Sequence, residues 1–398
     1  MPVWHKAAQQ WVKDGRLVLL GVTQEQHPER CSLFAQWQGI QWPILHDPIN
    51  ALQTTGVPIL VALDEYGIVR GVGPRLESFE RDFLDKSFAD GAAPNDAKLT
   101  PPRDTNALGR EARTADTSDS WRRLGDALAI WETPRQLDEA ISAYRHAIRL
   151  NSADLNARFR LGVCFRMRHE TERRHESDFS DAVRSWEDAL GGQPNQYIWR
   201  RRIQQYGPRL MKPYPFYDWV TQARNEILQR GELPVLLPVL PSGAEIARPS
   251  RTFVADESST SPDPQGAIRR DSRPLIEATV TVVPTQVKPG ETARVHVTLV
   301  PAAERKTYWN NEAEPLRLWV DPPPGWHVTR RLLVARPGEQ PETNEVRRLD
   351  FEVQVAEDAA GTGRLSAFAL YYVCEDVGGT CLYLRKDIPI EIPLVTAE

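Results

Sequence analysis

Four cysteines are the side chains best suited to chemistry in this 398-residue chain, and their spacing narrows what they could do. Cys374 ends an apolar run, Ala369-Leu-Tyr-Tyr-Val373. A glycine-containing stretch follows, and Cys381 opens the next run. Cys31 and Cys164 are isolated, and no Cys-x-x-Cys occurs anywhere. A zinc ribbon and a self-contained dithiol site of that spacing are therefore unsupported. His169-Glu170 and His175-Glu176 resemble metal ligands, but a six-residue offset puts the histidines on different helix faces. They read as a solvated charged loop, and the chain is expected to hold no metal and no cofactor. Val57-Pro58 is a further candidate. Cis bonds are costly except before proline, so the residues alone leave this pair either a cis bond kept for a purpose or an ordinary trans proline opening a strand. Trp309-Asn310-Asn311 and Trp326-His327 read as packing and turn residues, and Arg200-Arg201-Arg202 as a solvated basic face. No glycine-rich phosphate loop, nucleophile elbow or acid pair is present.

The elements that must position these residues form a multidomain chain combining α/β, all-α and all-β regions. Residues 1–90 alternate helix and strand: a helix from Val3 to Val12, a buried parallel strand from Leu17 to Val22 and a helix opened by Pro28. Short strands follow at Pro43–Leu45, Ile59–Leu63 and Ile68–Val72, the last two joined by Asp64-Glu-Tyr-Gly67, then a closing helix from Ser78 to Phe88. Residues 91–118 read as a linker, 119–230 as internally repeated helices and 231–274 as a second linker. From 275 to 398, alternating runs such as Ile276–Val283, Ala293–Val300 and Leu349–Val355 predict an antiparallel β-sandwich. The net charge of −5 is small and mixed, which gives no reason to expect nucleic acid. No apolar run approaches the ~20 residues of a membrane span.

Three resemblances follow. The order of Met1-Pro2, Arg16-Leu-Val-Leu-Leu-Gly-Val22, Pro43-Ile-Leu-His-Asp-Pro48 and Thr54–Gly67 resembles the later part of a thioredoxin-like (redoxin) domain of the secreted thiol-reducing type. That family's Cys-x-x-Cys and the strand leading into it precede a Met-Pro like this one, so the resemblance implies an incomplete thioredoxin-like fold. It also implies a cis Pro58 whose strand, with Val57, presents a backbone edge to substrate. Trp121, Leu124, Gly125 and Leu128, with Ala140, Tyr144 and Ala147, resemble a tetratricopeptide unit. Leu161, Gly162 and Phe165, with Ala182, Trp186, Ala189 and Pro194, resemble a second. Such helical hairpins imply protein partners, and 199–228 supplies capping helices or a degenerate third unit. The 369–383 stretch resembles the amino-terminal immunoglobulin-like domain of DsbD-type periplasmic disulfide-interchange reductases. That resemblance makes Cys374 and Cys381 a pair, either shuttling electrons to a redox partner protein or stapling a hairpin.

The missing strand would lie between Leu17–Val22 and Ile59–Leu63, and its absence leaves a slot about 10 Å wide. The expectation is that the two edges close on each other or that the natural chain begins upstream, with an export signal. Taken as written, with no signal peptide, the chain reads as cytosolic; an upstream start makes it periplasmic or extracytoplasmic. The function expected from resemblance is extracytoplasmic thiol–disulfide handling, with catalysis from the first region absent. The alternative is a non-enzymatic envelope scaffold with a structural Cys374–Cys381 disulfide.

Overall fold

A computed structural model describes residues 2–88, 104–208, 219–239, 253–376 and 379–395. They are mixed helix and largely antiparallel sheet, divided between two compact units. The first unit takes the described residues up to 174 with 185–202 and 219–239; the second takes 175–184, 203–208 and those from 253 onward. Among the described residues no helix is long and apolar enough to cross a membrane.

In the first unit, α1 (Pro2–Lys13) buries Ala8 and sets Trp4 and Trp11 against Phe79. Strand β1 (Gly21–Thr23) precedes α2 (Glu29–Gln38), which stops at Gly39 in the left-handed region, φ 63°, where a side chain would be strained. Strand β2 (Ile44–His46) then pairs parallel with β1, and β3 (Val61–Leu63) with β4 (Val69–Val72) forms an antiparallel hairpin. Asp64 shapes that turn by accepting the N–H groups of Tyr66 and Ile68 and the Arg70 guanidinium. Burial pushes its carboxyl up, but those donors outweigh it and hold the group below the usual carboxylate value.

Three expectations need correction here. The strand expected over Leu17–Val22 pairs only at Gly21–Thr23, and Val18 and Leu20 are 77% and 58% exposed rather than buried. The reason is that the β1–β2 pair and the β3–β4 pair remain two separate sheets, so no third strand of the described chain covers that run. The closing helix expected over Ser78–Phe88 is instead a 3₁₀ turn (Leu76–Ser78) followed by a π-helical turn (Glu80–Leu84). Arg16 binds Glu80 and Asp85 with its two Nη atoms, at 2.7 and 2.8 Å. An α-helix would splay positions five apart, whereas a π-turn stacks them within one fork's reach.

The third correction concerns residues 91–118, expected as linker: α3 (Thr105–Ala115) lies within them, capped by Asp104 on the N–H groups of Asn106 and Ala107. Helices α4 (Ser118–Trp131), α5 (Leu137–Leu150), α6 (Leu155–His169), α7 (Asp178–Gly192), α8 (Tyr197–Gln204) and α9 (Trp219–Gln229) follow. Glycine sets how closely α4 meets α5, since a Cβ on Gly125 would sit 2.8 Å from the Tyr144 ring. Trp186 of α7 donates its indole N–H to the Phe159 carbonyl of α6 at 3.2 Å. Helix α9 closes on α2, where Leu33 packs with Val220, Ala223 and Ile227, and Trp37 donates to Glu226 at 2.6 Å.

The second unit is built on β5 (Ile276–Val283), β6 (Thr292–Pro301), β7 (Thr307–Asn310), β8 (Arg317–Asp321), β9 (His327–Val328), β10 (Leu332–Val334), β11 (Glu342–Thr343), β12 (Arg347–Gln354), β13 (Thr362–Glu375) and β14 (Cys381–Pro393). One antiparallel sheet runs β5-β6-β12-β9; the other runs β10-β8-β13-β7-β11, with β14 along β13. Period-two burial in β12, alternating buried and half-buried from Arg347 to Gln354, supplies one apolar row. Val295 and Val297 from the first sheet and Trp309, Val373 and Ile390 from the second join it in one hydrophobic core.

Candidate functional site

Register alone brings the thiol pair together. Strand β13 pairs with β14 without interruption from Thr362 opposite Pro393 to Cys374 opposite Cys381, and the two cysteines are joined in a disulfide. Their Cα atoms are 3.9 Å apart. Val373 and Trp309 point into the core, so the alternate positions Cys374, Cys381 and Tyr308 occupy the opposite face of that sheet. Tyr372 and Tyr383, the next cross-strand pair on that face, stack at 4.4 Å. Cys374 is buried and Cys381 is exposed.

The turn between the sulfurs is held by backbone. Glu375 donates its N–H to the Thr380 carbonyl at 3.1 Å, Gly379 to Asp376 at 3.2 Å and Asp376 to Lys306 at 2.9 Å. A Cβ on Gly379 would lie 1.7 Å from the Glu375 carbonyl oxygen, so only glycine fits there. Val377 and Gly378 of the expected turn lie outside the described residues.

Glu342 is the residue that sequence reasoning missed. It stands opposite Asn310 on β11, and Asn310 shares its face of β7 with Tyr308, two positions back. A glutamate at that place reaches toward the sulfurs. Among the described residues, Glu342, Cys374 and Cys381 are the one group of three such side chains whose donor atoms all lie within 4.8 Å of one another.

The other candidates fall elsewhere. Val57–Pro58 is cis, and Val57 is 54% exposed. The free thiols of the same unit are Cys31 and Cys164. Burial raises the Cys31 thiol, and burial raises the fully enclosed Cys164 thiol further, so neither has the depressed pKa of a nucleophile. His169 corrects the expectation of a solvated loop, because it ends α6 and is buried, whereas His175 is exposed. Trp309 and Trp326 pack, as their sequence context suggests.

Arg202 corrects the expectation that Arg200-Arg201-Arg202 is a solvated face, because it is 3% exposed. Its guanidinium donates to Gln26 Oε1 and to the carbonyls of Gln24 and Pro48. Arg160 acts beside it, donating to the Ile49 and Asn50 carbonyls at 3.2 and 3.3 Å and to Asp126 at 2.7 Å. The two side chains hold the Asp47–Asn50 bend that precedes Pro58. Burial raises the Asp126 carboxyl, and Arg160 and the Tyr144 hydroxyl oppose that rise.

No protein-family profile matches the chain, and no curated protein matches it. Solved structures resemble it weakly. MamA shares 16% identity over 31% of this chain and 61% of its own, with a TM-score of 0.21. AvmM, which catalyses macrocyclisation in alchivemycin A biosynthesis, shares 14% over 33% of this chain and 96% of its own, at 0.20. The Pseudomonas fluorescens alkylpurine DNA glycosylase AlkC shares 12% over 74% and 75%, at 0.17. Likenesses this low place the chain in no family.

Proposed function

We propose that this protein exchanges disulfides with a partner protein outside the reducing cytoplasm, and that Cys374–Cys381 is the exchanging group. The observation that supports this is the pairing of an exposed with a buried cysteine at the turn end of a hairpin. A partner thiolate attacks the exposed Cys381 sulfur in line. The S–S bond breaks, its electron pair goes to Cys374, and a mixed disulfide forms. A second partner thiolate releases Cys381, so two electrons and two protons pass from a partner dithiol to this chain.

In this reading the two sheets are an immunoglobulin-like β-sandwich of the DsbD amino-terminal kind, and the helix pairs α4–α5 and α6–α7 are tetratricopeptide-like hairpins that hold a protein partner. The β1–β4 region is a thioredoxin-like fold without its central strand and thiol motif. Its Val57–Pro58 edge docks an extended segment and performs no chemistry of its own.

A second reading, a non-enzymatic scaffold with a structural staple, draws support from the unbroken β13–β14 ladder that the bond closes. Equilibrating the full chain with graded dithiol buffers and alkylating the freed cysteines separates the two. The exchange reading expects a midpoint clearly above about −300 mV. A midpoint below that value would leave only the staple.

A further inference from the structure

We infer that the reduced form of the same hairpin is a metal site, in which the Cys374 and Cys381 thiolates and the Glu342 carboxylate bind one thiophilic divalent cation of the zinc class. The inference rests on the exchange reading for its physiological use, because only an opened disulfide frees the two sulfurs.

The donor set fits. Two thiolates and a carboxylate are ligands that zinc accepts in tetrahedral geometry, with Zn–S near 2.3 Å, which puts two bound sulfurs about 3.8 Å apart. The cysteines stand directly opposite each other on neighbouring strands with Cα atoms 3.9 Å apart, so their sulfurs reach that separation by side-chain rotation alone. Glu342 already brings an oxygen within 4.8 Å of both sulfurs. The exposure of Cys381 leaves solvent access for a water in the fourth position. Sulfur ligands select against magnesium and calcium, which take oxygen shells. The chemistry balances simply: a dithiol reduces the bond, two thiols form, and metal binding displaces their two protons into solvent. Exchange with a partner disulfide, which takes the two electrons and leaves as a dithiol, re-forms the Cys374–Cys381 bond, removes two of the three ligands and expels the ion. The hairpin is then a redox-controlled metal switch.

The test uses the full chain and Co²⁺ alone as probe, under anaerobic conditions. A phosphine reductant opens the bond whatever its potential, and a thiol count confirms it: two free cysteines in the oxidised chain and four after reduction. Failure of the dithiol titration thus sinks the exchange reading without touching this one. The reduced chain is expected to take up one Co²⁺ with a thiolate-to-metal charge-transfer band, and the oxidised chain none. Glu342→Gln should weaken binding by roughly tenfold or more, and Glu342→Asp by less. Cys381→Ser should abolish the band, whereas Cys31→Ser should keep it. A reduced chain without the band, or wild-type Co²⁺ affinity in Glu342→Gln, would overturn the inference.

Discussion

Single carboxylates in this protein take their properties from where donors converge. Asp256 shows it most plainly. The Arg331 N–H donates to it, partial burial opposes, and the Ser259 hydroxyl with the Ser259 and Ser258 N–H groups completes the set. Together they lower its pKa to about 2 from an ordinary 3.8. The sign follows from linkage: a depressed folded value means the stabilisation is full above about pH 4 and disappears as pH falls toward 2. Asp256→Asn should therefore flatten the acid limb of the unfolding curve between pH 4 and 2 while changing little between pH 6 and 8 beyond a constant offset. An unchanged acid limb, followed by circular dichroism, would show that those donors do not stabilise the fold. Glu342 belongs to the same scale, since its importance is a matter of which atoms it reaches. It sits 32 positions before Cys374 on a two-residue strand, and no spacing rule connects them.

At the level of elements, long periodic runs announce themselves and short ones do not. The strands expected at Ile276–Val283, Ala293–Val300 and Leu349–Val355 fall on β5, β6 and β12 within a few residues, because eight or more alternating side chains carry a clear period. Strands β9, β10 and β11 have two or three residues each, too few to show a period, and they exist because a neighbour's edge recruits them. The helices were readable for the same reason as the long strands. Gly125 in particular marks where α4 must let α5 come close, and the Tyr144 ring occupies that space. Gly125→Ala should cost about 1–3 kcal/mol of stability in urea unfolding by pushing the ring aside. A gain instead, from better helix propensity, would mean the helices separate at no cost.

Across the first unit as a whole, the α/β region and the helices are tied together by charge buried under cover, which composition hides. An arginine triplet looks like a wet surface until its third member is found donating to carbonyls more than 150 positions earlier. Arg160→Met should destabilise by about 1–3 kcal/mol, because it takes the nearest cation from half-buried Asp126 and leaves two main-chain carbonyls without their donor. A double-mutant cycle with Asp126→Asn should return a coupling of at least about 1 kcal/mol, and amide exchange over 49–54 should quicken in the single variant. Additive effects and unchanged exchange would show that the clamp holds nothing. Arg160 and Arg202 address main-chain oxygens at Gln24, Pro48, Ile49 and Asn50. Apart from the Gln26 side chain that Arg202 also meets, they recognise the curve of the main chain rather than its lettering. Exchanging a side chain at Pro48 or Ile49 without altering that curve should consequently leave both cationic anchors their partners.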